Sequence, residues 1–155
     1  MSDVPGPDAR TAELARKGPL EEQSPRRIGA WHIAPRHGQP IWLARSRDPL
    51  SLPGALYRGP GELLILGAAQ DVPDGTMLQD MSAAFACIDL GGPDPLAAIG
   101  LGNLERLEPG DSLTTRLADT RVTIAGTAGG VLLIIENHHA DWLWSWLQAQ
   151  LSVAG

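Results

Sequence analysis

Four histidines, one cysteine and eighteen carboxylates are the residues of this 155-residue chain that could carry metal or acid–base chemistry. His138 and His139 are adjacent, so on a helix their side chains diverge by about 100° and do not offer the i, i+4 face used by paired metal ligands. His32 and His37 lie five apart in a Pro/Gly-rich stretch, and no Cys-x-x-Cys completes a site around them. The spacing therefore predicts no metal site and puts His138 and His139 on the surface at a helix start. Cys87 shares a strand face with Phe85 and Asp89 and reads as a small core residue, and being single it forms no intramolecular disulfide. No Ser sits in a Gly-x-Ser-x-Gly elbow, and Gly91-Gly92-Pro93-Asp94 lacks both the Gly-Lys-Ser/Thr ending and the full dinucleotide spacing of phosphate loops. It reads as a tight strand-to-helix turn. No catalytic, cofactor-binding or metal constellation is expected.

Tryptophan carries more information. The chain has five Trp against one Phe and one Tyr, and Trp142, Trp144 and Trp146 fall on one segment. Residues 138–151 can run as a helix with Asn137 as N-cap and Asp141 in the first turn. At 100° per residue, Trp142, Leu143, Trp146, Leu147 and Gln150 share one face, which leaves Trp144 at the boundary, half-exposed. One face cannot easily take all three indoles. Trp is enriched at interface hot spots, so Trp144, with Trp31 or Trp42, is a candidate contact with another chain, and Trp142 and Trp146 complete the candidate interface set.

The elements that must position these residues are short, as 18 Gly and 13 Pro require. Residues 28–43 carry apolar pieces separated by Pro35, Gly38 and Pro40, as in edge strands or an extended wrapping segment. Residues 55–58 and 62–67 flank Gly59-Pro60-Gly61 as a hairpin, and the run Leu63–Leu66 suggests a strand covered on both faces. Residues 70–75 are turn chemistry. Residues 84–90 alternate as a half-buried strand, a short helix spans 95–101, and residues 112–118, 121–126 and 131–136 read as an antiparallel meander. This order predicts an α+β fold with a largely antiparallel sheet and helices on one side.

Charged residues are only 19% of the chain and the net charge is −6, which argues against phosphate-backbone binding. Residues 1–27 hold five acids and five bases, so the whole −6 falls on residues 28–155. Four prolines and few large apolar side chains make 1–27 a flexible or partner-ordered arm, and 28–155 a single α+β domain. No apolar run approaches the roughly 20 residues of a membrane span, and a cytoplasmic location is expected.

Several runs, in serial order, resemble one family. They are Tyr57-Arg58-Gly59-Pro60-Gly61-Glu62 with the following Leu63-Leu64-Ile65-Leu66, then Asp80-Met81-Ser82-Ala83, Ile88-Asp89-Leu90-Gly91-Gly92-Pro93, Pro109-Gly110, Thr115-Arg116-Leu117-Ala118, and the segment 140–147. Together they are similar to the gamma subunit of heterotetrameric sarcosine oxidase over about residues 55–151. The resemblance implies a fold related to the folate-binding domain of aminomethyltransferases. It also implies a small non-catalytic subunit whose partners are larger flavin-binding alpha and beta subunits and a small zinc-binding delta subunit, with FAD, FMN, NAD and tetrahydrofolate held by those partners. Ala83 stands where that family has His, and the chain is shorter than its relatives. An N-methylglutamate dehydrogenase-like complex, or a free-standing folate-binding one-carbon protein, are the alternatives.

Overall fold

The computed structural model describes residues 20–104 and 106–155. In chain order these form β1 (Arg26–Ile28), β2 (Trp31–Arg36), β3 (Ile41–Arg45), β4 (Leu56–Gly59), β5 (Glu62–Leu66), β6 (Met77–Asp80), β7 (Phe85–Gly91), α1 (Pro95–Ala98), β8 (Ser112–Leu117), β9 (Thr120–Thr127), β10 (Gly130–Glu136) and α2 (Asn137–Ala154). Two antiparallel sheets result: a six-stranded one ordered β1-β2-β7-β10-β9-β8 and a four-stranded one ordered β4-β5-β3-β6. The architecture is α+β, as expected, with two sheets where the sequence suggested one.

The reason for the second sheet lies in the central strands. On β7, Ala86, Ile88 and Leu90 face the long helix, and Phe85 and Cys87 face the other way. All five are buried, so β7 is covered on both faces rather than half-buried. The same holds on β10, where Val131, Leu133 and Ile135 join the helix-side core and Leu132 and Ile134 the opposite one. A strand apolar on both faces must be covered twice. Helix α2 covers one side through Ala140, Leu143, Trp144, Leu147 and Leu151, while Ile41, Leu43, Leu56 and Leu64 of the small sheet cover the other. The outer face of the small sheet buries Ala44, Leu63 and Ile65 beneath Leu50, Leu52 and Ala55 of the β3–β4 connection. The layers thus run helix, large sheet, small sheet, loop.

The hairpin β4–β5 forms as expected and depends on Gly61. Its φ of +68° is a left-handed conformation, and a Cβ there would sit on the backbone carbonyl oxygen of Ser46. The segments over 28–43 are interior strands rather than edges: β2 lies between β1 and β7, and β3 between β5 and β6. Pro35 is tolerated because β1 reaches only Ile33, leaving β2 without a neighbour on that side at Pro35.

Of the segment 1–27 expected as an arm, residues 1–19 lie outside the described residues. Leu20 is 3% exposed in the helix-side core, and Arg26 and Arg27 pair with Ile33 and His32 in the large sheet. β6 went unanticipated because Met77-Leu78-Gln79-Asp80 carries one half-buried position and three exposed ones, too little alternation to mark a strand.

Candidate functional site

Helix α2 begins at Asn137, with Glu136 as its N-cap in extended conformation and without a side-chain capping bond. Asn137, expected to cap, instead donates through Nδ2 to the carbonyl of Ala83, while its backbone N–H bonds to Ala84 at 2.9 Å. The strand-to-helix corner is thereby tied to the start of β7. One turn of Asp80-Met81-Ser82 closes the neighbouring loop: Asp80 Oδ1 accepts from the Ser82 hydroxyl at 2.7 Å and backbone N–H at 3.0 Å, and the Ile41 N–H donates to Ser82 Oγ at 2.9 Å. These hydrogen bonds hold the Asp80 carboxyl below its ordinary range. The family-like motif at 80–83 is thus a structural turn here.

The five tryptophans do not share one surface. The buried face of α2 is Ala140, Leu143, Trp144, Leu147 and Leu151, an i, i+3, i+4, i+7, i+11 series. Trp144 is therefore only 1% exposed, in this chain's own core, and not half-exposed toward a partner. The expectation centred the helical stripe on the large indoles, whereas the buried stripe is centred at the angular position of Ala140, which is fully buried. Trp142 is 41% exposed and stacks on Trp146, with ring centroids 6.2 Å apart and planes 26° from parallel. Trp146 also packs against the rim of the core. Successive 100° steps align Trp142, Trp146, Ala149 and Val153 on the outer side of the helix, where Val153 is 82% exposed. Trp31 donates its Nε1–H to the Pro93 carbonyl at 2.7 Å and packs on the helix-side core, and Trp42 packs on the far face of the small sheet. The candidate interface therefore contracts to the outer stripe of α2.

A second constellation sits where β4, β5, β9 and β10 meet. Arg58 is 6% exposed, lies over the Phe85 ring with its guanidinium carbon 4.7 Å from the centroid, and contacts Glu136 Oε1 through Nη2 at 3.2 Å. Its Nη1 has no hydrogen-bond partner among the described residues. Burial and the neighbouring Arg121 lower the Arg58 pKa, against the pull of Glu136 and Glu62. Arg121 donates to the Arg58 carbonyl and reaches Glu62 at 3.4 Å. Thr114 Oγ1 donates to the Tyr57 carbonyl at 2.6 Å, and the Thr114 and Thr123 hydroxyls are 2.9 Å apart. This polar seam fixes the small sheet to the large one.

Cys87 is 3% exposed, and burial pushes its thiol up to about 12, against the pull of Arg36. That is the protonation of an inert core thiol rather than a nucleophile. Nearby, Arg36 binds Asp89 in two-point fashion at 2.6 and 2.9 Å, and this bond raises the Arg36 pKa.

A groove of about 730 Å³ runs between residues 92–97, 106–109 and 127–131. Among the described residues its charged lining is Asp94, Arg106 and Glu108, two carboxylates to one guanidinium. The Arg106 guanidinium lies 3.6 Å from Glu108, and both side chains are largely in solvent.

Taken together, the two antiparallel sheets and the covering helix define an α+β domain whose described polar groups mostly brace its own layers. Among solved structures, the chain is similar to a chain of the heterotetrameric sarcosine oxidase from Corynebacterium sp. U-96 in complex with pyrrole 2-carboxylate. The match has a TM-score of 0.67 at 14% identity and covers 90% of this chain and 96% of that one, so against this neighbour the chain is not the shorter one that the sequence comparison suggested. At that identity the likeness is one of fold. No family model and no curated protein sequence matches the chain.

Proposed function

We propose that this chain is a small, non-catalytic subunit of a sarcosine oxidase-like complex that oxidatively demethylates an N-methyl amino acid. The observation that carries the reading is the end-to-end correspondence of fold, 90% of one chain with 96% of the other, with a chain of a heterotetramer. A correspondence spanning both chains supports a likeness to the whole fold of that neighbour's chain rather than to one part of it. The partners in this reading are larger flavin-binding subunits and a small zinc-binding one, and FAD, FMN, NAD and tetrahydrofolate reside in those chains. When bound there, the flavins accept the electrons of the N-methyl oxidation.

The contribution of this chain is then assembly. The Trp142–Trp146 pair and Val153 present an apolar stripe on a helix whose opposite side is anchored in the core. Rigid anchoring lowers the entropic cost of docking, and aromatic side chains supply large contact area at that surface. Co-expression with the large subunits of a sarcosine oxidase-type complex tests the reading. The chain is expected to co-purify with flavin-containing partners, and a monodisperse monomer in their presence would overturn it.

A further inference from the structure

The junction of β10 and α2 brings together two histidines whose sequence spacing predicted divergence and the carboxylate that precedes them. His138 and His139 follow each other, yet their ring centroids are 4.0 Å apart with planes tilted by 45°. Glu136 precedes the helix in extended conformation, so it does not obey the helical 100° step and its side chain folds back alongside. His138 Nε2 lies 3.4 Å from Glu136 Oε2, and one donor atom from each of the three residues lies within 4.8 Å of the others.

We propose that Glu136, His138 and His139 form a binding site for a divalent d-block cation of the zinc class. The inference stands apart from the assembly reading and does not depend on it. Two imidazole nitrogens and one carboxylate oxygen are the donor set such ions take, at about 2.0–2.2 Å from each donor. Two donors on one tetrahedral ion at that distance are roughly 3.3 Å apart, so the His138–Glu136 pair already stands at bridging distance. The remaining closure falls to side chains with room to rotate, since His138 is 66% and Glu136 44% exposed. Arg58 holds the other oxygen of Glu136, Oε1, at 3.2 Å, which orients the carboxylate and leaves Oε2 for the ion. That guanidinium and the positive end of the helix oppose a cation, so the site is exchangeable rather than structural. Its exposed side leaves positions for water or for a side chain of another chain.

The test is titration of untagged, metal-free full-length protein with zinc chloride against a chromogenic chelator, paired with cobalt(II) visible absorption. One equivalent is expected to bind. His138→Ala and His139→Ala should each weaken it by about tenfold or more, while His32→Ala and His37→Ala leave it unchanged. Circular dichroism checks the fold of each variant, and if His139→Ala disturbs the helix, His138→Gln decides alone. Absence of stoichiometric binding, binding indifferent to His138 and His139, or equal loss in the His32 and His37 variants would overturn the proposal.

Discussion

Replacing Trp144 separates a core role from an interface role. Its indole is 1% exposed and packs with Leu143 and Leu147 against the large sheet. Truncating a buried Trp to Ala removes the transfer energy of the ring and leaves a cavity, a loss of about 3–5 kcal/mol. For a domain of this size each 1 kcal/mol lowers the melting temperature by about 2–4 °C, so Trp144→Ala should melt roughly 6–20 °C lower. Trp144→Phe tests the packing more finely. The Nε1–H of Trp144 is buried without a hydrogen-bond partner among the described residues. Phe discards that donor and recovers about 1–3 kcal/mol of desolvation, offsetting part of the lost volume. Phe should therefore lie much closer to the parent than Ala. Trp142→Ala, losing one exposed stacked ring, should cost only about 0.5–1.5 kcal/mol. Thermal unfolding of the full chain followed by circular dichroism reads all three. A Trp144→Ala melt within about 2 °C of the parent, or a larger loss for Trp142→Ala, would refute the assignment of faces on α2.

Glu136→Ala should destabilise by about 1–3 kcal/mol, because it strands the buried Arg58 guanidinium while Glu136 itself is still half in water. Arg58→Met should cost less than that in urea denaturation, since it removes the buried charge rather than orphaning it. The β8–β9 turn holds Ala118 at φ 45° and Asp119 at φ 68°, both left-handed. Ala118→Asn should raise stability by about 0.5–1 kcal/mol, because its short amide side chain hydrogen-bonds locally and makes the left-handed conformation less costly, and an unchanged or lower melting temperature would count against that geometry. Because burial raises the Cys87 pKa in the folded chain, the thiol contributes stability that is fully present below the ordinary thiol range. That contribution is lost as pH rises through that range toward about 12. Cys87→Ala should flatten this alkaline slope in pH-dependent unfolding, and native Cys87 should resist thiol reagents at neutral pH.

Most of the fold was legible where pattern and turn chemistry agreed. The hairpin around Gly59-Pro60-Gly61, the meander of β8, β9 and β10 and the final helix all carry clear punctuation in the sequence. The two-sheet layering was not, because β7 alternates Phe, Cys and Asp against Ala, Ile and Leu. Asp89 mimics a solvent face there, while in the folded chain Arg36 neutralises it and the rest of that face is buried. The helical faces were misassigned for a related reason: three indoles dominated the wheel, and small Ala140 carried no weight although it is fully buried at the centre of the buried stripe. The Glu136, His138 and His139 cluster was invisible to helical spacing because one member lies before the helix. Its only sequence signal is a carboxylate two residues ahead of paired histidines at a strand-to-helix boundary.

The central claim, that this chain is an assembly subunit, is tested most directly by the native mass of the chain co-expressed with the large subunits of a sarcosine oxidase-type complex. The account predicts a single flavin-containing species that includes this chain, and its loss from that species in Trp142→Glu, whose own fold is retained. A free monomer beside an intact flavoprotein complex, or a Trp142→Glu chain that stays fully incorporated, would contradict it.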